Sequence, residues 1–536
     1  MAFPRAESAR KALPWYRSPV GLSAVVLLGT VLLRLAQPPD PIDDAFITFR
    51  YVENIAGGRG FVYNPGEPVL GTTTPLYTLL LALLWVVGLV DLPRVAQIVN
   101  ALADGVTATL VFVVGRRLLP SDGAALAAST IAACSGWSVF FALSGMETAL
   151  FTTLVVGSLG ACLWRRSVLA VVLAALATLT RPEGALVAGL VLGQLTVRRR
   201  RLPVAHLGLL LALLAPWLVY ATWTFGHPIP HSALAKAATY HVDPLFNPVA
   251  IVYTIGTIVG GGALASLRVP LEQQVLGLGV PWVGALVAVW WQALRRAWPG
   301  GDDALPWLLF APGLAAAYVL GGAFGTRVFP WYLAPLVPFV ALLVVRGGSA
   351  ACGILPSGAR RLLVGALVVA MMVDLALGLN LGRDPTLHPL APWGRPVYSW
   401  ERDRVEAYLE AGAWLRTVAP EGATVATPEI GALGYASGLR VLDTVGLVSP
   451  ESLRYQPVPP HLVAAERDNA VPAALIRDFR PEYVVSLESF VRLSLVEEPW
   501  FRASYRLVAA WEPVADDDRL LVFASAPLAD AARPEP

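Results

Sequence analysis

Two adjacent carboxylates, Asp43 and Asp44, follow the first long apolar segment of the chain and its Pro-Pro-Asp exit. A carboxylate near a membrane is energetically costly and commonly marks function. One carboxylate can accept a proton as a general base, and a pair can coordinate a hard divalent cation such as Mg²⁺, Mn²⁺ or Ca²⁺. Because Asp is also a favoured N-cap, the pair could instead cap a helix that begins at Ala45.

The polar loop after this pair is long and punctuated by Gly and Pro. It contains Asn64-Pro-Gly-Glu67 and the run Gly71-Thr-Thr-Thr-Pro75 before the chain becomes apolar again. It spans roughly 35 residues, and connections of that length are usually functional. Later loops carry the other residues with chemical potential, which are Glu147, Arg181, His231, Lys236, Arg327, Trp331 and Tyr332.

Composition defines the class of protein that positions these residues. The 536 residues are 56% hydrophobic and 15% charged, whereas soluble domains average about 25% charged residues. We therefore expect a polytopic α-helical membrane protein with a soluble part. The three cysteines form no CxxC motif or Cys/His cluster, which indicates neither disulfides nor structural zinc. The net charge of +2 gives no sign of a nucleic-acid partner, and we expect none.

Apolar runs and basic clusters together predict the topology. The candidate spans are 18–37, 96–115, 123–142, 148–164, 167–180, 184–197, 205–223, 274–294, 305–324, 331–346 and 361–380. The positive-inside rule places the N-terminus and the basic clusters in the cytoplasm. The clusters are Arg5/Arg10/Lys11/Arg17, Arg116-Arg117, Arg165-Arg166, Arg198 to Arg201, Arg295-Arg296, and Arg346 with Arg360-Arg361. The basic clusters can share one side only if the number of spans between successive clusters is even. This condition requires that 75–90 and 248–268 do not cross, and we interpret both as outer juxtamembrane or re-entrant helices. About eleven crossings then leave the C-terminus extracytoplasmic, with 18–37 a retained anchor rather than a signal peptide.

This topology gathers the polar loops on the outer face, where ATP and nucleotide sugars are improbable substrates. The chain also has no P-loop and no GxGxxG motif in a suitable context. An outward-facing enzyme needs an activated donor in the membrane, and a polyprenyl-phosphate sugar fits. One carboxylate of the pair would take the proton of the acceptor hydroxyl. Cationic side chains would neutralise the leaving phosphate, and the candidates are Arg181, His231, Lys236 and Arg327.

Acceptor or sugar contacts are expected from Asn64, Glu147, Trp331 and Tyr332. Several of these candidates also have a structural interpretation. Glu147 could be an interfacial residue, and Arg181 could form a turn with Glu183. His231 could be an ordinary loop histidine, and Trp331 and Tyr332 could belong to an interfacial aromatic belt.

The pattern Asp43-Asp-Ala-Phe-Ile-Thr-Phe-Arg50, followed by Asn64-Pro-Gly-Glu67 and Thr72-Thr-Thr-Pro-Leu-Tyr77, resembles the GT-C superfamily of glycosyltransferases. It is similar to the family that contains mycobacterial terminal arabinofuranosyltransferases, as are Ser144-Gly-Met-Glu147 and Arg181-Pro-Glu-Gly184. More distantly it resembles protein O-mannosyltransferases and lipid A aminoarabinose transferases. The resemblance covers roughly residues 20–350. It implies a polyprenyl-phosphate sugar donor, with Asp43 as the base and Asp44 in the partner place.

The composition changes near residue 381, which predicts a transmembrane domain over 1–380 and an extracytoplasmic mixed α/β domain over 381–536. An amphipathic helix is expected over Arg404–Val418 and helical material over 470–479. Short β-like runs occupy 423–427, 439–443, 482–487, 505–511 and 519–524. Glu429 and Asp443 lie at strand ends, where they could touch an acceptor or stabilise a loop.

We therefore expect a membrane glycosyltransferase of the cell envelope. It would move arabinofuranose, mannose or a similar sugar to a glycan, lipid or protein acceptor. Two alternatives come from other classes. A transporter or flippase of lipid-linked sugars would need polar sites at the membrane midplane and an internal repeat. A non-catalytic scaffold with an outer glycan-binding domain would not need paired carboxylates and loop cations together.

Overall fold

A computed structural model of the protein describes residues 18–240, 245–258, 280–297, 303–322, 327–359, 397–465, 467–511 and 518–531, with single positions 362, 365, 369 and 372. The predicted domain boundary near 381 lies outside the described residues, as do the N-terminal basic cluster and nearly all of the predicted span 361–380.

Helices make up the N-terminal part, as the apolar runs predict. Prolines near helix starts and side-chain caps such as Ser18 and Asp91 fix several N-termini. The helices are α1 (Pro19–Leu35), α2 (Asp43–Ala56), α3 (Pro75–Val86), α4 (Leu92–Leu118), α5 (Asp122–Cys134), α6 (Gly136–Leu143), α7 (Thr148–Leu163), α8 (Ser167–Thr180), α9 (Gly184–Arg199), α10 (Val204–Phe225), α11 (His231–Thr239), α12 (Phe246–Thr257), α13 (Val280–Ala297), α14 (Leu305–Gly322), α15 (Pro330–Leu333) and α16 (Val337–Ile354). A single 3₁₀ turn, Ala334–Leu336, joins α15 to α16.

Helix α4 is central to the bundle and packs against α1, α5 and α7. Its Asp104 forms a buried ion pair with Arg34 of α1 at 2.7 Å. Arg34 is fully buried and also donates to the Ala133 carbonyl at 2.5 Å. A buried ion pair is tolerated only when such additional hydrogen bonds compensate its desolvation, so this pair fixes the register of α1 against α4.

The predicted number of eleven spans is not confirmed. By length and composition, four described helices could cross a membrane, or five if the bent pair α5 and α6 forms one broken span. Helix α7 has 16 residues and α8 has 14, which correspond to roughly 24 and 21 Å, less than the ~30 Å hydrocarbon core. Helices α8 and α9, which correspond to the predicted short spans 167–180 and 184–197, pack against each other.

The basic clusters gather at one end of the bundle. Asp303 pairs with Arg165 at 2.8 Å and with Arg198 at 3.2 Å, which brings the ends of α7, α9 and α14 together. Arg346 of α16 donates to the Leu118 carbonyl at the end of α4. This shared end agrees with the charge pattern of the sequence, and its cytoplasmic orientation stays a prediction.

The C-terminal part is a mixed α/β domain. Its elements are α17 (Val397–Val418), β1 (Thr424–Thr427), α18 (Gly431–Ser437), β2 (Arg440–Asp443), α19 (Ala473–Phe479), β3 (Tyr483–Leu487), α20 (Glu488–Val491), α21 (Pro499–Ser504), β4 (Tyr505–Trp511), β5 (Leu520–Ser525) and α22 (Ala526–Ala531). The strand order is β2-β1-β3-β5-β4, with β1 parallel to β2 and β3, and β5 antiparallel to β3 and β4. All five predicted strands are confirmed to within one residue at each end.

Helix α2 of the first loop packs closely against α18 of this domain. Two glycines make the approach possible. A Cβ atom at Gly431 would lie 1.8 Å from the backbone oxygen of Asp43, and one at Gly434 would lie 1.9 Å from the Tyr63 hydroxyl. The Tyr63 hydroxyl donates to the Ile430 carbonyl at 2.5 Å, which ties the loop to the same helix.

Replacing Gly431 with Ala should loosen this contact. The added methyl group requires the two helices to separate, and overpacking of this kind typically costs about 1–3 kcal/mol. We expect a lower thermal unfolding temperature and faster limited proteolysis of the C-terminal domain. Gly189→Ala on α9 is the matched control, because a Cβ there meets nothing within 4 Å. Equal behaviour of the two variants would contradict this packing.

Candidate active site

Helix α2 carries the two aspartates in its first turn, and the structure directs them to different surroundings. The helix begins at Asp43 rather than at Ala45, with Ile42 as N-cap and no side-chain capping bond. The alternative in which the pair caps a helix from Ala45 is therefore wrong. Negative charge in the first turn still interacts favourably with the helix dipole.

Asp43 faces the C-terminal domain. Its carboxylate accepts hydrogen bonds from the backbone N–H groups of Gly431, at 3.1 Å, and Ala432, at 2.8 Å. Burial raises the pKa of Asp43, although the Arg404 guanidinium and these N–H groups oppose that effect. Asp43 thus acts as the anion at the N-terminus of α18.

Arg50, two turns further along α2, binds the other end of α18. Its guanidinium donates to the carbonyls of Gly434 at 2.5 Å and Leu439 at 2.6 Å. The Gly434 carbonyl also accepts from the N–H of the C-cap Gly438 at 3.2 Å, and Leu439 follows the helix. Arg50 thus lies at the C-terminal end of α18, where the helix dipole favours a cation. One face of α2 therefore holds both poles of α18, with Asp43 at the positive pole and Arg50 at the negative one.

Asn64 also serves the contact between the domains. Its side-chain amide donates to the Val441 carbonyl at 2.9 Å and accepts from the Val441 N–H at 3.1 Å. It also accepts from Arg50 at 3.2 Å and donates to Glu67 at 2.9 Å. The structure thus places this predicted acceptor-binding residue on the edge of β2, with its polar atoms already engaged.

A small cavity of about 50 Å³ lies between the bundle and the domain. It is lined by Asp44, Ile47, Thr48, Gly71, Thr72, Thr73, Thr74, Met146, Glu147, Ser232, Lys236, Trp331, Tyr332 and Leu447. Of the predicted site residues it brings together Asp44, Glu147, Lys236, Trp331 and Tyr332. Asp43, Asn64, Arg181, His231 and Arg327 do not line it.

Asp44 and Lys236 form the charged pair of this cavity. The Lys236 ammonium lies 3.8 Å from the Asp44 carboxylate. It also lies 4.9 Å from the centre of the Phe329 ring and 5.6 Å from that of Trp331. Burial disfavours the charged form of Lys236, but Tyr332 and Asp44 outweigh it and raise its pKa above the ordinary value. Lys236 is therefore cationic at neutral pH.

Glu147 reaches the cavity from the start of α7, supported by Arg181 from behind. Arg181 lies 3.7 Å from Glu147 and 2.7 Å from Glu183, and it donates to the Trp331 carbonyl at 2.8 Å. Burial raises the pKa of Glu147, and the Arg181 charge opposes that rise. Burial by itself would also raise the pKa of Glu183, but the Arg181 charge and the Tyr318 hydroxyl lower that pKa overall.

The Arg181 guanidinium is thus committed to protein partners. It also lies over the Tyr332 ring at 4.9 Å, and Tyr332 stacks on Tyr318 at 5.4 Å. We conclude that Arg181 positions Glu147, Trp331 and Tyr332. Its predicted role as a direct phosphate ligand lacks geometric support.

His231 and Arg327 flank the site. The backbone N–H of His231 donates to the Leu70 carbonyl at 2.7 Å. Burial lowers the pKa of the His231 imidazole. Arg327 forms an ion pair with Asp468 of the C-terminal domain and lies over the Phe329 ring at 5.7 Å. Phe329 in turn contacts Lys236, so Arg327 is one ring removed from the charged pair.

The C-terminal domain closes the cavity with the loop that follows β2. Asp443 is fully buried and accepts hydrogen bonds from the N–H groups of Val445 and Val448, both at 2.9 Å. Thr239 of α11 donates to the Val445 carbonyl at 3.1 Å. This arrangement presents Leu447 to the cavity. Asp443 therefore stabilises the loop, which was one of the two roles predicted for it. Glu429, the other residue predicted at a strand end, forms an ion pair with Arg404.

The two aspartates do not form a common cation site. Both oxygens of Asp43 are engaged by N–H groups, and Asp44 faces an ammonium group. Among the described ranges, no three His, Cys, Asp or Glu side chains are grouped so that they could hold a metal ion. These residues do not fit a shared divalent cation.

Several cavity residues are absent from the sequence-based prediction. Met146 and Ser232 each neighbour a predicted residue, and Thr72 to Thr74 lie in the noted threonine run. Leu447 carries no chemical signal in the sequence. The nearby Asp443 followed by Gly446 is the pattern of a loop held by an aspartate, and it could have indicated the loop.

Comparison with known proteins gives the fold. The crystal structure of ArnT from Cupriavidus metallidurans in the apo state matches with a TM-score of 0.57 at 15% identity, over 96% of this chain and 99% of that chain. ArnT bound to undecaprenyl phosphate matches with a TM-score of 0.54 at 15% identity, over 97% and 99%. The chain therefore shares its fold with these two ArnT structures.

Other matches are partial. A mycobacterial arabinofuranosyltransferase, AftD, matches with a TM-score of 0.44 at 16% identity, over 96% of this chain and 42% of that chain. Residues 397–524 match a family described as Domain of unknown function (DUF8728). The Na(+)/H(+) antiporter NhaA of Gluconacetobacter diazotrophicus is 27% identical over 252 residues, 47% of this chain and 55% of that protein. The chain thus covers about half the length of this curated relative.

Arg181→Met should destabilise the protein, because it leaves two buried carboxylates without their cation. Breaking a buried pair in this way typically costs about 3–5 kcal/mol. Adding Glu183→Gln should restore part of the loss, since one of the uncompensated charges is then removed. Thermal unfolding of the single and double variants measures both effects. Arg201→Met, at an exposed position, is the control, and a loss there as large as that for Arg181→Met would refute this role.

Asp443 should give the domain a pH-dependent stability. Burial raises its pKa from 3.8 to about 6. Between these values the folded protein keeps a proton that the unfolded chain has released, so stability falls as pH rises through this window. The contribution is at most about 3 kcal/mol. The unfolding temperature of Asp443→Asn should not show this fall as the pH rises. The unfolding temperature of Asp530→Asn, at an exposed site, should still show it. Identical pH profiles for wild type and Asp443→Asn would exclude it.

Proposed function

We propose that the protein is an integral-membrane glycosyltransferase that transfers a sugar from polyprenyl phosphate to an acceptor hydroxyl on the outer face. The observation that supports this most directly is the cavity in which a carboxylate, a lysine ammonium and two aromatic side chains converge. The fold of ArnT over nearly the whole chain supports the same class, and the undecaprenyl phosphate in one ArnT structure is consistent with such a donor.

Asp44 is the proposed general base, with Asp43 in the docking role described above. The Asp44 carboxylate takes the proton of the acceptor hydroxyl as that oxygen bonds to the anomeric carbon. The bond from that carbon to the phosphate oxygen breaks, and its electron pair leaves with the phosphate. Lys236 neutralises the charge that develops there. The Asp44 carboxylate lies 3.8 Å from the Lys236 ammonium, and the raised pKa of Lys236 keeps that group cationic for this step.

Glu147 and the aromatic residues are proposed to orient the sugars. Glu147 can accept hydrogen bonds from hydroxyl groups, and Trp331 and Tyr332 offer flat apolar surfaces. Arg181 holds all three from behind, as the distances above describe. Arg327 and His231 are proposed to act at the edge of the site on the phosphate or the lipid chain.

Substrate entry requires the cavity to widen. Its volume of about 50 Å³ exceeds the ~30 Å³ share of one water molecule only modestly. The loop after β2 contributes Leu447 and belongs to the docked domain, so we propose that it moves to admit donor and acceptor. Asp443 would then set how readily the loop opens.

The partial match to NhaA is the observation that favours the alternative of a transporter. Such a protein would use ionisable groups within the bundle. The Arg34–Asp104 pair is the candidate, but each group is compensated by the other, and neither lines the cavity at Asp44 or the larger cavity at Trp307. The enzyme is therefore the better-supported proposal.

Asp44→Asn should reduce sugar transfer by at least about 100-fold, since general bases contribute roughly 10²–10⁴-fold. Asp43→Asn should lose much less, because the amide oxygen can still accept a hydrogen bond from α18. The assay is transfer from a panel of radiolabelled polyprenyl-phosphate sugars to cell-envelope glycans, with folding checked by thermal unfolding. Equal losses in the two variants would contradict the assignment of the base, and no transfer by wild type from any donor would contradict the function.

A further inference from the structure

A second, much larger cavity lies within the bundle. Its volume is about 540 Å³, within the usual range of ligand pockets. Helices α12, α13, α14 and α16 form most of it, and its walls are apolar, with Ile255, Leu286, Trp307 and Phe339 among them. Such a lining suits hydrocarbon and offers little to a sugar.

This cavity extends to the end of the bundle opposite the candidate active site. The length of helix α4 gives the distance between the two cavities. Asn100 donates to the carbonyl of Met146 at the active-site end, whereas Arg117 of the same helix lines the second cavity. At about 1.5 Å per residue, these positions are roughly 25 Å apart. The donor phosphate proposed for the Asp44 site is therefore too distant to account for the groups at this end.

Three arginines, Arg117, Arg296 and Arg346, lie at this end of the cavity. No acidic side chain within the described ranges forms an ion pair with any of them. Arg346 donates to the Leu118 carbonyl at 3.1 Å. Arg165 and Arg198 at the same end differ, since both are paired with Asp303. Three like charges beside an apolar cavity favour an anion that is itself attached to hydrocarbon.

We propose that this cavity binds one membrane lipid with an anionic phosphate headgroup, such as phosphatidylglycerol. An acyl chain would occupy the apolar part, and the arginines would hold the phosphate, to which guanidinium groups bind with charge-assisted hydrogen bonds. This lipid differs from the proposed sugar donor and is independent of the proposed function. It would sit in the leaflet at the basic end of the bundle, which the positive-inside rule assigns to the cytoplasm.

Native mass spectrometry of the purified full-length chain tests the proposal. The protein is mixed with dioleoyl phosphatidylglycerol or dioleoyl phosphatidylcholine, and the retained lipids are counted. We expect wild type to retain one phosphatidylglycerol at least tenfold more strongly than phosphatidylcholine. Arg296→Gln should weaken the retention of phosphatidylglycerol about fivefold, because one arginine near a membrane surface contributes roughly that factor to the binding of an anionic lipid. Phosphatidylcholine retention should not change.

Two variants separate the parts of the site. Arg295→Gln is the matched control, because Arg295 stacks on Trp291 at 4.8 Å and does not line the cavity. It should behave as wild type. Ala311→Phe fills part of the apolar wall and should weaken retention while leaving every arginine in place. An excess of water-soluble glycerol phosphate should not displace the lipid, since it lacks the acyl chains.

Several results would overturn the proposal. Equal retention of both lipids by wild type would exclude headgroup recognition. Equal effects of Arg295→Gln and Arg296→Gln would indicate general surface charge, and displacement by glycerol phosphate would indicate an anion site without a lipid chain. Full one-for-one displacement of phosphatidylglycerol by polyprenyl phosphate would assign the cavity to the donor tail instead.

Discussion

The contact between α2 and α18 is the constraint on which the rest of the structure depends. Asp43 and Arg50 hold opposite poles of a seven-residue helix, and Gly431 and Gly434 permit backbone approach. Consecutive residues of an α-helix point about 100° apart. With Asp43 turned toward the C-terminal domain, Asp44 is turned toward the bundle, where it meets Lys236. One helix thus docks a domain and presents the carboxylate that we propose as the general base.

The charges near the cavity are arranged in pairs and triads, which explains how they persist in a largely buried place. Arg181 compensates Glu147 and Glu183, and Lys236 compensates Asp44. Buried charges are tolerated only with such partners. The same shielding from water would strengthen the electrostatic interaction with the phosphate of the proposed donor. The loop held by Asp443 contributes to the shielding, so docking of the domain and the electrostatics of the site are coupled.

Local patterns predicted the elements well. Short β-like runs predicted all five strands, and long apolar runs predicted the helices of the bundle. The roles of Asp43, Asn64 and Arg181 could not be read in the same way. The role of Asp43 depends on its hydrogen bonds with Gly431 and Ala432, which lie nearly 390 positions away in the sequence. The role of Asn64 depends on a strand of the other domain. A sequence shows that such groups exist, but their partners are set by the tertiary packing.

A cryo-EM structure of the protein with polyprenyl phosphate bound tests the proposed site most directly. We expect the phosphate to lie within about 3.5 Å of the Lys236 ammonium, with Asp44 facing the same space and Asp43 still hydrogen-bonded to Gly431 and Ala432. A phosphate bound away from Lys236, or Asp43 released from α18 and facing the phosphate in place of Asp44, would contradict it.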